Sequence, residues 1–317
     1  CEFGRLVDAD KAKLRWLPDQ IDWRDYVIDV HIRGLKKWVF PHLEAKLTKR
    51  PRAEDRFSDL VSFVEEVADR EGNKVAVQRL VTRAGSNDKE LVGVTYKDMR
   101  RRAWACASRL ANVGVHPGAR VALVAKNSPE WAIGFFGILR AGGSVVPLDP
   151  TLDAIELGKR MRAVGAEMAV IGDGASSPDE AACFDLGEMV EDPGNDVVDV
   201  PEVWVRPDDV ALIAYTAGTT GAQKPVVLTH KNVTAVLASI APLFKLSERD
   251  SGLSVLPLFH TFELTCGLLL PMLRGARVTY VDDVTAETLA DAFQVAGISA
   301  MIGVPQVWEE LEEKIRN

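Results

Sequence analysis

Cysteine is scarce and scattered: Cys1, Cys106, Cys183 and Cys266 are the only four. No pair stands at metal-ligand spacing, and isolated thiols in a chain of 317 residues do not make a disulfide framework. Reduced, mostly buried cysteines point to a cytoplasmic setting, and Cys106 falls on an apolar helical face as a small core residue. Long apolar runs are missing too. The longest, 131–139 and 267–273, fall well short of the roughly 18 residues that a membrane helix needs. There is no excess of base: 38 Lys and Arg against 46 Asp and Glu leave a formal charge of −8, which disfavours nucleic acid as a partner. The chain has no Gly-x-Ser-x-Gly nucleophile elbow and no His-Glu-x-x-His metal motif. His31, His42, His116 and His230 are scattered; His230 follows a strand and could cap the next helix. No signal sequence is present and the first residue is Cys1, so the chain is expected to be a piece of something longer, fused to further domains.

What is present is a globular composition, 47% hydrophobic and 26% charged, with length for about two domains. Residues 1–52 differ from the rest. Trp16, Trp23, Tyr26, Trp38 and Phe40 mix with base, and from 31 to 52 there are seven Lys or Arg and one acid, Glu44. Such a segment can make peripheral contact with an anionic membrane. Pro41 and Pro51 interrupt any long helix, which favours an N-terminal extension or interdomain connector.

The centre of the chain is residues 215–224, Tyr-Thr-Ala-Gly-Thr-Thr-Gly-Ala-Gln-Lys. An apolar run over 209–215 predicts a buried strand before it, and 226–229 a second strand after it. Gly218 and Gly221 can take positive φ and let a ligand approach the main chain. Consecutive amides in such a turn form an anion-binding concavity. Thr216, Thr219 and Thr220 add hydroxyls, and Lys224 adds a mobile charge. These are the groups a polyphosphate requires. The loop is not the kinase P-loop, because Pro225 rather than Ser or Thr follows the lysine.

Elsewhere strands and helices alternate. Helix spacing covers 57–72; 74–81 and 91–95 read as a hairpin; a helix spans 99–113. Strands are predicted at 120–125, 144–148 and 168–171, with helices at 129–141 and 155–164 between and after the first two. Residues 172–207 are acidic and turn-rich and read as a surface excursion. After the central loop come a helix (233–244), a strand (252–256), an apolar helix (264–272), strands at 276–281 and 298–302 around a helix at 285–296, and a last helix carrying Val307, Trp308, Leu311 and Ile315. The pattern implies an α/β fold with mixed or parallel sheets flanked by helices. We divide it into 1–52, a first α/β subdomain at 53–205 and a second at 206–317.

The 215–224 stretch resembles the phosphate loop of the adenylate-forming superfamily, the acyl-CoA synthetases and their relatives, Tyr-Thr-Ser-Gly-Thr-Thr-Gly-x-Pro-Lys-Gly-Val. Ala217, Gln223 and Pro225 depart from that pattern. Val94-Thr95-Tyr96, Asn127-Ser128-Pro129-Glu130-Trp131, Ala141-Gly142-Gly143 and Val146-Pro147-Leu148-Asp149-Pro150 look like its N-terminal landmarks, in order. Leu256-Pro257-Leu258-Phe259-His260 resembles its Leu-Pro-x-x-His motif, and the final segment is similar to the long-chain acyl-CoA synthetase branch.

The resemblance covers residues 55–317, the front part of a large adenylation domain. It implies ATP-dependent activation of a carboxylic acid, with fatty or other apolar acids the expectation, to an acyl adenylate. Transfer to a thiol, coenzyme A or a carrier-protein pantetheine, follows. Thr216, Ala217, Gly218, Thr219, Thr220, Gly221 and Lys224 would hold the β- and γ-phosphates, and His260 would stand by the α-phosphate and the carboxylate as wall or donor. The Tyr-Gly-x-Thr-Glu motif, whose Glu holds magnesium in the family, and Thr-Gly-Asp, whose Asp holds the ribose, do not occur. These 317 residues alone are therefore expected to release no pyrophosphate from ATP. The other reading is a degenerate, non-catalytic acyl- or nucleotide-binding or scaffold module, suggested by Ala217 and Pro225.

Overall fold

The computed structural model describes residues 56–303 except 84, 87, 195–198, 201 and 217–222. The arm at 1–52, the helix expected after Val304, and the loop residues Ala217, Gly218, Thr219, Thr220 and Gly221 lie outside the described residues.

Asp59 begins the fold as an N-cap. Its carboxylate accepts from the amides of Val61 and Ser62 and starts α1, Leu60–Glu71. β1 (Val75–Thr82) and β2 (Lys89–Thr95) form the expected antiparallel hairpin. Thr95 then caps α2, Tyr96–Asn112. β3 (Arg120–Val124) leads to α3 (Pro129–Arg140), whose cap is Ser128 and whose first turn holds Pro129. Gly142, at φ +81°, turns the chain out of α3 in a conformation open to glycine, and β4 (Ser144–Leu148) follows. α4 (Ala154–Val164) and β5 (Met168–Ile171) complete this run.

The stretch expected to be a surface excursion contributes to the core instead. It forms β6 (Ala182–Asp185), pairing parallel to β5, and a short helix α5 (Leu186–Met189). Leu186, Met189 and Val190 are buried. Beyond it lie β7 (Val210–Thr216), β8 (Lys224–Thr229), α6 (His230–Ile240) and β9 (Ser251–Ser254). A helix of three consecutive pieces, Thr261–Glu263, Leu264–Leu269 wound as π, and Leu270–Leu273, is α7. β10 (Arg277–Tyr280), α8 (Ala286–Ala296) and β11 (Ala300–Met301) end the described chain. His230 does not cap α6. Thr229 does that, while His230 is buried and its Nδ1 accepts the Leu60 N–H at 3.1 Å.

Among the described residues the strands form two sheets, ordered β11-β9-β10-β1-β2 and β6-β5-β3-β4-β7-β8. Pairing is parallel except at the β1–β2 and β7–β8 hairpins. Each sheet takes strands from both sides of residue 205. Alternate residues of each strand face opposite layers. Val121 and Leu123 of β3 join the main core with α1, α2, α3 and α7, whereas Ala122 and Val124 pack with Leu157 and Met161 of α4. On the other sheet Val77 and Val278 face the main core, and Leu80 and Leu253 pack with Leu289 of α8. The layering is thus helix, sheet, helices, sheet, helix.

The innermost helix is α3, apolar on every side as a buried helix must be. Trp131 stacks on Phe135 at 5.5 Å and 9°, and each fully buried side chain there contributes about 1.5–3 kcal/mol. Cys106 is buried as expected, its thiol pushed up to about 12 by desolvation. Among the described residues no helix is long and apolar enough to cross a membrane.

Candidate active site

β7 rises out of the core towards the site. Ala211, Leu212, Ile213 and Ala214 are buried, Tyr215 is half-buried and Thr216 is exposed. The return strand begins at Lys224, and the register sets Thr216 opposite Lys224 and Tyr215 opposite Pro225. The Thr216 hydroxyl donates to the Lys224 carbonyl at 3.5 Å. Thr216 and Lys224, the candidate residues of this loop within the described chain, therefore meet at the mouth of the hairpin. The Lys224 ammonium is exposed and has no ion-pair partner among the described residues. Pro225 does not break the ladder, because β8 is the outer strand of its sheet, where a missing N–H is tolerated.

Arg160 of α4 braces the mouth of this hairpin, a contact that no local sequence pattern marks. Its guanidinium donates to Gln223 Oε1 at 2.6 Å and lies 5.4 Å from the Tyr215 ring centroid. The Tyr215 hydroxyl donates back to the Arg160 carbonyl at 2.7 Å. Gln223, a departure from the family pattern, is thereby held by a side chain 63 positions away in sequence.

His260 sits at the end of the loop joining β9 to α7. It is the N-cap residue of α7, and its exposed ring lies 4.5 Å from that of Phe259. Its amide donates to Pro257 O, and its carbonyl accepts from Leu264 N. The loop is held from the other sheet by Asn127, which sits just past β3. Asn127 Nδ2 donates to Leu256 O at 2.6 Å and to Ser254 Oγ at 3.2 Å, and its Oδ1 accepts the Leu258 N–H at 2.8 Å. Ser128 caps α3, which leaves the adjacent Asn127 side chain for the loop.

An apolar cavity of about 430 Å³ lies between the inner part of the hairpin, α6 and the start of α7. Leu212 and Leu228 of the hairpin, Val233 and Val236 of α6, and Phe262 and Cys266 just past His260 line it. A second crevice, about 320 Å³, opens where β3, β4 and β9 end, between Asn127, Asp149, Thr151, Ser254 and Phe259. Carboxyl ends of strands are where α/β sheets bind ligands.

Thr216 and Lys224 at the end of the β7–β8 hairpin, and His260 on a loop held by Asn127, are the candidate site residues within the described chain. The profile of the AMP-binding enzyme family matches residues 64–316, and the chain belongs to that family. It is 28% identical over 225 residues to a feruloyl-CoA synthase of an Amycolatopsis species, covering 69% of this chain and 45% of that protein. It is 33% identical over 190 residues to an oxalate–CoA ligase of Arabidopsis thaliana (55% and 37% covered). With the long-chain-fatty-acid–CoA ligase FadD13 of Mycobacterium tuberculosis it shares 30% over 200 residues (58% and 39%). The chain spans less than half the length of these relatives.

In fold it is similar to the inhibitor-bound N-terminal domain of FACL13 from Mycobacterium tuberculosis. The TM-score is 0.68 at 24% identity, covering 81% of this chain and 65% of that one. It is also similar to the nonribosomal peptide synthetase FmoA3 in its AMPPNP-bound form, with TM-score 0.68 at 20% identity, covering 82% of this chain and 27% of that one.

Proposed function

We propose that this chain supplies the phosphate-gripping and acid-facing part of an ATP-dependent acid–thiol ligase. The whole protein would join a carboxylic acid to the α-phosphate of ATP, release pyrophosphate, and pass the acyl group to coenzyme A or a carrier pantetheine. The observation that carries this reading is the meeting of Thr216 with Lys224, which has no ion-pair partner among the described residues, at the mouth of the β7–β8 hairpin. A cation there offsets charge that develops on the departing pyrophosphate, and donors already in place need no reorganisation during reaction. Residues 217–221 complete the grip in this reading, through their amides and the hydroxyls of Thr219 and Thr220.

His260 faces the acid carboxylate and the α-phosphate, as wall or donor. The apolar cavity behind Phe262 favours an acid with a hydrophobic body, fatty or aromatic. Magnesium would arrive on the nucleotide's phosphates. Among the described residues no cluster of three His, Cys, Asp or Glu stands ready to hold a metal ion, and no step is assigned to it.

Lys224→Ala tests the reading. A charge-assisted hydrogen bond contributes about 1.5–3 kcal/mol, so ATP affinity measured by calorimetry should fall roughly 10- to 100-fold with the fold unchanged. Equal ATP affinity in the two proteins would sink the assignment. No ATP binding by either would favour a degenerate module that has lost its nucleotide.

A further inference from the structure

Glu263 lies in the first turn of α7, three residues past His260, and is 1% exposed. A carboxylate at that depth is ordinarily bonded through both oxygens. Here Oε1 accepts from Ser254 Oγ at 2.6 Å, and Oε2 has no partner among the described residues. The π-wound turn makes the space: the carboxyl rests against Gly267, where an added Cβ would stand 2.1 Å from Oε1. Ser254 also accepts from Asn127, which holds Leu256 and Leu258 as well. Asn127, Ser254 and Glu263 thus form one chain of hydrogen bonds running beneath the loop that presents His260.

We propose that Glu263 is a positioning residue for His260, locking residues 254–260 in place through Ser254 and Asn127. A neutral carboxyl suits the place, because its single bond to Ser254 cannot offset a buried charge. Burial raises the carboxyl to about 7, against the lowering effect of Ser254. The titratable groups that share its surroundings are Cys266 on α7 and Tyr280 on β10. Burial is the first cause of an upward shift in both, and Glu263 adds to each. No base appears among the influences on Glu263. Ionisation strengthens the bond from Ser254 itself but leaves the charge buried, so openings that carry Glu263 into water become easier as it ionises. The catalytic meaning of that hold rests on the reading of His260 given above.

Amide hydrogen exchange on the chain, with no nucleotide present, tests the hold independently of that reading. The probes are the Leu258 amide, bonded to Asn127, and the β3 amides as an internal measure of global stability. After correction for intrinsic exchange, Leu258 protection should fall as pH rises through about 7 in the wild type. Glu263→Gln, which keeps an acceptor for Ser254 and carries no charge, should stay high and flat. Asn127→Ala should lower Leu258 protection roughly tenfold at every pH. Glu263→Gln following the wild-type pH dependence would overturn the proposal, as would Asn127→Ala changing Leu258 and β3 equally. If Lys224→Ala leaves ATP binding unchanged while these exchange results hold, the nucleotide reading has failed and the clamp has not.

Discussion

Gly137 lies where α2 and α3 pack most closely. A Cβ there would meet Cys106 Sγ at 2.6 Å, Cys106 Cβ at 2.7 Å and the Ala103 carbonyl at 3.1 Å. Two of these neighbours cannot swing aside, so Gly137→Ala should cost about 1–3 kcal/mol in denaturant unfolding. Cys106→Ala in the same chain should recover only part of the loss, because it removes Sγ and leaves Cβ. Full recovery would show that the thiol alone sets the spacing. Cys106 was legible in the sequence as an apolar helical position, but its glycine partner was not, since the two meet only after folding. The same holds at the site. Lys224 and His260 announced themselves through neighbours in sequence, whereas Arg160 and Asn127 act on residues 63 and about 130 positions away. Glu263 was hidden differently: an acid in a helix reads as solvated until the glycine one turn on is seen to make room for it.

Helix starts were the most readable elements, because a cap acts within three residues. Ser128 accepts from the Trp131 amide at 3.1 Å and opens the most buried helix of the fold. Ser128→Ala should lower unfolding free energy by about 1 kcal/mol, and Ser128→Asp should restore most of it, both read from urea midpoints at constant slope. Strands with continuous apolar runs were equally clear: 144–148 is β4 to the residue. β6 and α5 escaped because each has only four residues and lies in an acidic stretch. Their place is fixed by β5 and by the core under Leu186 and Val190, a tertiary cause that local pattern does not carry.

Over the whole molecule two buried groups pull stability in opposite directions with pH. Burial lowers His230 from 6.5 to about 4. As pH falls through that range the unfolded chain takes a proton that the fold refuses, so stability drops. Glu263 is raised from 4.5 to about 7, so as pH rises through that range the unfolded chain releases a proton that the fold keeps, and stability again drops. Each contributes up to about 3 kcal/mol, and between about pH 4.5 and 6.5 they offset one another. Glu263→Gln should therefore give stability that climbs with pH across this window. His230→Gln, which still accepts from Leu60, should give stability that declines. Parallel curves for wild type and both variants, from chemical denaturation at each pH, would refute the pair. The alternation of strands and helices made the fold class legible at this scale. The assignment of strands to sheets was not, because sequence order does not tell a strand which neighbour it will find.

That interleaving has a cost during synthesis. β1 has β2 on one flank within a few residues, but its other flank belongs to β10, and the pair Val77 and Val278 is separated by 201 positions. At about 5–20 residues per second, the open flank waits roughly 10–40 s on the ribosome while a whole second sheet is made and folded. A nascent chain halted anywhere before residue 277 carries an unpaired, valine-rich edge, the kind of surface that chaperones exist to shield.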